Sequence, residues 1–119
     1  MTIVRAAAVQ ISPVLYSREG TVGRVVAKID QLAHQGVQFA TFPETFVPYY
    51  PYFSFVQRPF EMTSEQLRLM GQAVTIPSPA SDAIGEAARK AGMVYPSGST
   101  NVTAARFSTP SCSSTPTAP

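Results

Sequence analysis

Apolar positions fall into two rhythms along this chain. "TIVRAAAVQI" (residues 2–11) mixes β-branched and small apolar residues, stops before Ser12-Pro13, and predicts a buried strand. From Thr21, which can cap a helix, Val22, Val25, Val26, Ile29, Leu32 and Ala33 recur at three- and four-residue spacing, so one helix face is buried. Gly36 supplies a left-handed residue to end that helix. A second all-apolar strand, Val37 to Phe42, ends at Pro43, which has no N–H to give a ladder. Strand, helix, strand with apolar strands is the pattern of a βαβ unit with neighbouring parallel strands.

Two further helices are legible. Thr63 and Gln66 form a candidate capping box, with Met62 and Leu67 as its staple and Leu67, Met70, Ala73 and Val74 as its apolar stripe. "TIPSP" ends it. Ser81 is placed as the cap of the next helix, with Ala83, Ile84, Ala87, Ala88 and Ala91 facing inward and Gly92 at the end. "GMVY" opens a third strand that does not develop. The expected class is α/β, in the order strand–helix–strand–helix–helix–strand.

Candidate chemistry gathers at the end of the second strand. In "QFATFPETFVPYYPYFSF" (residues 38–55) a lone carboxylate, Glu44, follows the strand and precedes a run of aromatic and proline residues. Ligands of open α/β sheets collect beyond the carboxyl ends of strands. Burial among aromatics would raise a carboxyl pKa toward the range of a general base. Most acids at strand ends are solvated or cap a helix, so position alone does not assign the role. His34, in the last turn of the first helix, reads as a surface residue favoured by the helix dipole.

Composition narrows the classes. The 119 residues suit one small domain, and 45 % hydrophobic residues suit a globular core. A net charge of +2 with no Lys/Arg cluster argues against nucleic-acid binding, and the tyrosines have no basic groove to make them a base-stacking platform. One cysteine excludes an internal disulfide and fits a reducing compartment. The first strand has no basic region before it and no stretch is long enough to span a membrane, so a cytoplasmic setting is expected.

With these pieces in order, "IVRAAAVQISPV", "KIDQLAHQGVQFATFPETFVPYYPYFSF" and "IPSPASDAIGEAARKAGMV" resemble the nitrilases of the carbon–nitrogen hydrolase superfamily over residues 1–94. The resemblance implies part of an α-β-β-α sandwich whose members associate through outer helices, and a Glu-Lys-Cys triad with no metal or organic cofactor. It makes Glu44 the catalytic base, Tyr50 a wall of the nitrile pocket, and Tyr49 and Phe53 weaker pocket candidates. It implies conversion of a nitrile to a carboxylic acid and ammonia. An amidase- or carbamoylase-type hydrolase is the alternative chemistry, against which "ETFVPYYPYFSF" speaks. A non-catalytic fragment that binds a full-length homologue is the alternative role.

The chain departs from that pattern at Val94/Tyr95. All seven acids precede the break, and after it Arg106 is the one charged side chain in a segment dominated by Ser, Thr and Pro. No lysine follows Lys90. Cys112 sits in "PSCSSTP" and is not expected to be a nucleophile. Two readings of residues 95–119 compete: a disordered tail, or the product of a shifted reading frame. Codons permitted for Tyr95 onward, read two bases later, encode "SIGVNERDGGTLFNTQLLFDADGT", a strand and hairpin pattern without a stop. The abrupt break favours the shifted frame, and with it a truncated hydrolase that is inactive alone.

Overall fold

A computed structural model of the chain describes residues 2–95. The segment 96–119, and with it Cys112 and the two readings of the Ser/Thr/Pro-rich stretch, lies outside the described residues. The first strand, β1 (Ala6–Ala8), pairs in parallel with β2 (Phe39–Thr41) in the register Ala6–Phe39, Ala7–Ala40, Ala8–Thr41. Both are shorter than the apolar runs that contain them. Ladder bonds continue outward, from Gln38 N–H to Arg5 O at 2.8 Å and from Val9 N–H to Thr41 O at 2.8 Å. On the other edge of β2, Val94 donates to Gln38 O (3.0 Å) and accepts from Ala40 N–H (3.1 Å), a parallel bridge where the third strand was expected to open.

The crossover from β1 to β2 is α1 (Arg18–His34). Ser17, not Thr21, caps it: the Ser17 hydroxyl accepts from Gly20 N–H at 3.0 Å. Thr21 lies one turn inside and is fully buried. The inward face is the expected one. Val22, Val25, Ile29 and Leu32 are buried, and Val26 and Ala33 pack at its margin. Burying a side chain such as Ile29 stabilises the fold by about 1.5–3 kcal/mol. Gly36, at φ +73°, takes the left-handed position just past the helix.

The next helix, α2 (Thr63–Gln72), departs from expectation. Its cap position is Met62, which gives no side-chain hydrogen bond, so the Thr63/Gln66 box does not form. Leu67 and Met70 are exposed and Leu69 is buried instead, while Ala73 and Val74, just beyond the helix end, are buried as expected. The helix is short, and packing places its inward row one step from the stripe that periodicity selects.

The last helix, α3 (Pro79–Ala91), starts earlier than Ser81. Ser78 caps it, and Ser81 completes a reciprocal box: Ser81 N–H donates to Ser78 Oγ (3.3 Å) and Ser78 N–H to Ser81 Oγ (2.9 Å). Pro79 follows the cap, where its missing N–H costs nothing. Ile84 and Ala88 are buried, Ala87 and Ala91 are partly buried, and Ala83 is exposed. Gly92 ends the helix at φ +60°.

These parts form two layers. Ala7, Val9, Ile11, Ala40, Phe42, Met93 and Tyr95 turn toward α1 and α3 and join one core with Phe46, Val47 and Val74. The alternate positions, Val4, Ala6, Ala8, Phe39 and Val94, face the opposite side and are exposed. Period-two alternation makes that division. Parallel sheets are otherwise found covered on both faces.

Candidate functional site around Glu44

The loop that leaves β2 changes character within one residue. Glu44 and Thr45 form a turn at the carboxyl end of the strand, and Glu44 is exposed. The four residues after Thr45 (Phe46, Val47, Pro48 and Tyr49) are all buried. Phe46 packs on Phe42 with ring centroids 6.4 Å apart, bracketing the turn with aromatic contact. The acid therefore projects from a turn anchored on both sides.

That turn carries strain. Thr45 has φ +43°, a left-handed backbone that a β-branched residue adopts only under constraint, at about 1–3 kcal/mol. Its hydroxyl oxygen is also buried, without a hydrogen-bond partner among the described residues. Two costs fall on the residue next to the acid. Strain of this kind collects where a fold must aim a functional group.

Each aromatic candidate has a distinct place. Tyr50 is half-buried and stacks on Phe55, at 6.0 Å and 3° between planes, with Tyr52 tilted against it at 5.4 Å. Phe53 is half-buried in the 3-10 turn Tyr52–Phe55 that follows. Tyr49 points into the protein. It is 2 % exposed, and its ring meets Tyr16 edge to face at 5.7 Å. Tyr16 OH donates to Glu65 at 3.0 Å, Arg68 lies 3.6 Å from Glu65, and its guanidinium covers the Tyr16 ring at 5.1 Å. Burial, followed by the Glu65 charge, pushes the Tyr49 phenol above the ordinary tyrosine range. Its hydroxyl has no partner among the described residues.

The enclosure expected around Glu44 is not supplied by the described residues. The aromatics after it turn into the core or stack on one another, and the acid stays open to solvent. A groove of about 510 Å³ runs along α1 and the start of α3, past Arg18, Val22, Gly23, Val26, Ser78 and Ala83. It is on the helical side of the sheet, and Glu44 and Tyr50 do not line it. The chain's two lysines belong to helices, Lys28 at 2.7 Å from Gln31 on α1 and Lys90 at 3.7 Å from Glu86 on α3. His34 is exposed at the end of α1, its Nδ1 2.8 Å from Asp30 O, as its position predicts. Among the described residues no three His, Cys, Asp or Glu side chains converge as metal ligands. No described helix is long and apolar enough to cross a membrane.

Residue patterns missed four participants: Tyr16, Thr21, Glu65 and Arg68. For Thr21 a signal existed. Thr21, Val25, Ile29 and Leu32 share one stripe, so a polar residue on the core face needed a partner. That partner is the loop: Thr21 Oγ1 is 2.8 Å from Pro48 O.

Comparison with known proteins adds identity to this geometry. Residues 5–109 match the family model described as carbon–nitrogen hydrolase. "Nitrilase 3" from an unidentified prokaryote is 73 % identical over 96 residues, covering 79 % of this chain and 29 % of that protein. "Nitrilase" from Paraburkholderia phymatum is 52 % identical over 92 residues, 77 % of this chain and 27 % of its own. An "Aliphatic nitrilase" from Rhodococcus rhodochrous is 35 % identical over 86 residues, 71 % of this chain and 24 % of that protein. This chain thus spans less than a third of the length of these relatives. Its parallel βαβ start and the match over most of its length agree: the chain belongs to the carbon–nitrogen hydrolase family.

Proposed function

We propose that residues 1–94 carry the general base and part of the pocket wall of a nitrile-hydrolysing site, with Glu44 as the base. The observation that carries this reading is the strained Thr45 turn, anchored by buried neighbours, which holds a carboxylate at the carboxyl end of a parallel strand. The relatives named as nitrilases support the choice of a nitrile over an amide.

In this reading Glu44 takes the proton of a cysteine thiol as sulfur adds to the nitrile carbon. The proton passes to the substrate nitrogen, and a lysine stabilises the charge that develops there, giving a thioimidate. Glu44 then activates water. Ammonia leaves, and a second water releases the carboxylic acid. Tyr50 and Phe53, at the surface beyond the base, are the pocket-wall candidates. Tyr49 holds the loop from inside rather than meeting substrate. The chemistry calls on no metal or organic cofactor, and a cytoplasmic setting belongs to the same reading.

The described residues contain neither the thiol nor a lysine at Glu44, so the 119-residue chain by itself is proposed to be inactive. Members of a triad act as a unit, and a base without its nucleophile loses most of the rate. The shifted frame after Val94 accounts for the change in composition. The family match runs on to residue 109, past the break, and selects neither reading. The nucleotide sequence across codons 92–97 separates the two. The exposed sheet face favours one further role, binding to a longer homologue.

The test is ammonia release from aliphatic and aromatic nitriles. The purified chain alone is expected to release none. Mixed with the remaining segment of the relative "Nitrilase 3", expressed separately, it is expected to restore hydrolysis. Turnover by the chain alone contradicts the inactivity. Co-purification with an intact homologue without any contribution to turnover supports the binding role.

A further inference from the structure

We infer that the Thr21 hydroxyl is a positioning group for the loop that carries Glu44 and Tyr50. This rests on the assignment of that loop to the active site. Thr21 is the one polar residue among the buried described residues, with 0 % exposure. Its Oγ1 lies 2.8 Å from Pro48 O, 3.0 Å from Ser17 O and 3.2 Å from Val14 O, and it accepts from Val14 N–H at 3.1 Å.

A threonine hydroxyl has one proton to give, so these carbonyls compete for it. Two already have backbone donors: Ser17 O accepts from Thr21 N–H at 3.1 Å, and Val14 O accepts from Ser17 N–H at 3.2 Å. Pro48 is among the most deeply buried residues, and its carbonyl is the nearest of the three. A buried carbonyl left without a donor is penalised, so the proton goes to Pro48 O. The lone pairs take the Val14 N–H. One hydroxyl thereby joins α1, the 12–17 loop and the 43–50 loop.

A second contact between the same two loops reinforces the joint. Tyr16, two residues beyond Val14, meets Tyr49, the residue after Pro48. From Pro48 back to Glu44 the chain passes buried Val47 and Phe46 and strained Thr45, with little freedom to absorb a shift. Movement of Pro48 therefore moves the carboxylate. Thr21 does not touch the reacting atoms; it sets where the base stands.

The test is amide hydrogen exchange on the 119-residue chain and two variants. Thr21→Val keeps the shape and removes the hydroxyl; Thr21→Ser keeps the hydroxyl and removes a methyl. Expected in Thr21→Val is about tenfold faster exchange across residues 46–52, the ratio one net hydrogen bond sustains, with the interiors of α1 and α3 unchanged. Thr21→Ser should retain parental protection in the loop. Equal acceleration throughout the chain, or no acceleration, or equal loss in both variants overturns the proposal. Should Thr21→Val not fold, the unmodified chain decides by NMR. A slowly exchanging Thr21 hydroxyl proton coupled to the Pro48 carbonyl carbon supports the joint, and free exchange with water refutes it. Neither readout involves hydrolysis, so failure here is distinct from failure of the nitrile reading.

Discussion

Tyr49 shows how a single residue in the Glu44 loop exchanges solvent for packing. Its ring is buried against Tyr16 and its hydroxyl has no partner among the described residues, so burial opposes ionising it. Burial also raises the Tyr95 phenol. A folded-state pKa above the unfolded value means both residues contribute stability that is complete below about pH 10, the ordinary tyrosine range, and lost as pH rises through the folded value. Ultraviolet titration of the tyrosines should show two phenols ionising late, together with unfolding. Tyr49→Phe, which deletes the unpartnered hydroxyl, should flatten this alkaline loss. A titration in which all five tyrosines ionise together with the fold intact would contradict the placement. Position along the chain drew attention to Glu44, and the family resemblance named it the base and Tyr50 a pocket wall. Position could not show that Tyr49 turns inward, because adjacent residues of an irregular loop follow no fixed period.

At the scale of elements, hydrophobic periodicity found the long features and chemistry at the ends set their limits. The inward face of α1 was legible because six apolar positions repeat along a helix of 17 residues. Its start was not, since Ser17 and Thr21 are both good caps and only packing against Pro48 makes Thr21 an interior residue. The same ambiguity hid Ser78 behind Ser81, two serines that cap each other. In α2, at 10 residues, no long repeat corrects a wrong phase, and Leu69 took the buried place expected for Leu67 and Met70. The revised α3 start has a direct consequence. Ser78→Ala removes the cap and half of the reciprocal box, and should lower stability by about 0.5–2 kcal/mol. Asp82→Ala, further into the first turn and without a cap role, should cost less. Thermal melts of the two variants compare them, and equal losses would contradict the Ser78 cap.

At the scale of the whole molecule, the described residues form a parallel sheet with helices on one side only. Val4, Phe39 and Val94 leave apolar area on the other, which water disfavours and a sheet or a second chain can cover. Isolated, the chain should self-associate. Phe39→Thr with Val94→Thr should reduce light scattering while preserving helix content by circular dichroism, because both residues stay good strand formers and neither points into the core. A sharp cooperative melt of a monomeric parent would contradict the exposed face. Segment order and the one-sided apolar pattern of α1 were readable from the residues. That the sheet would be left bare followed from the resemblance, which implies only part of the α-β-β-α sandwich, and not from the strands themselves, since a short apolar run does not show whether one or both of its faces are covered.

The central claim concerns the carboxylate at the end of β2, and one comparison tests it most directly. Ammonia release from a nitrile would be measured for the chain combined with the remaining segment of "Nitrilase 3", with and without Glu44→Gln. The account predicts that the substitution lowers turnover by at least about a hundredfold, the lower end of what a positioned base supplies, with assembly unchanged. Turnover within a factor of about two of the parent would mean that Glu44 is not the base.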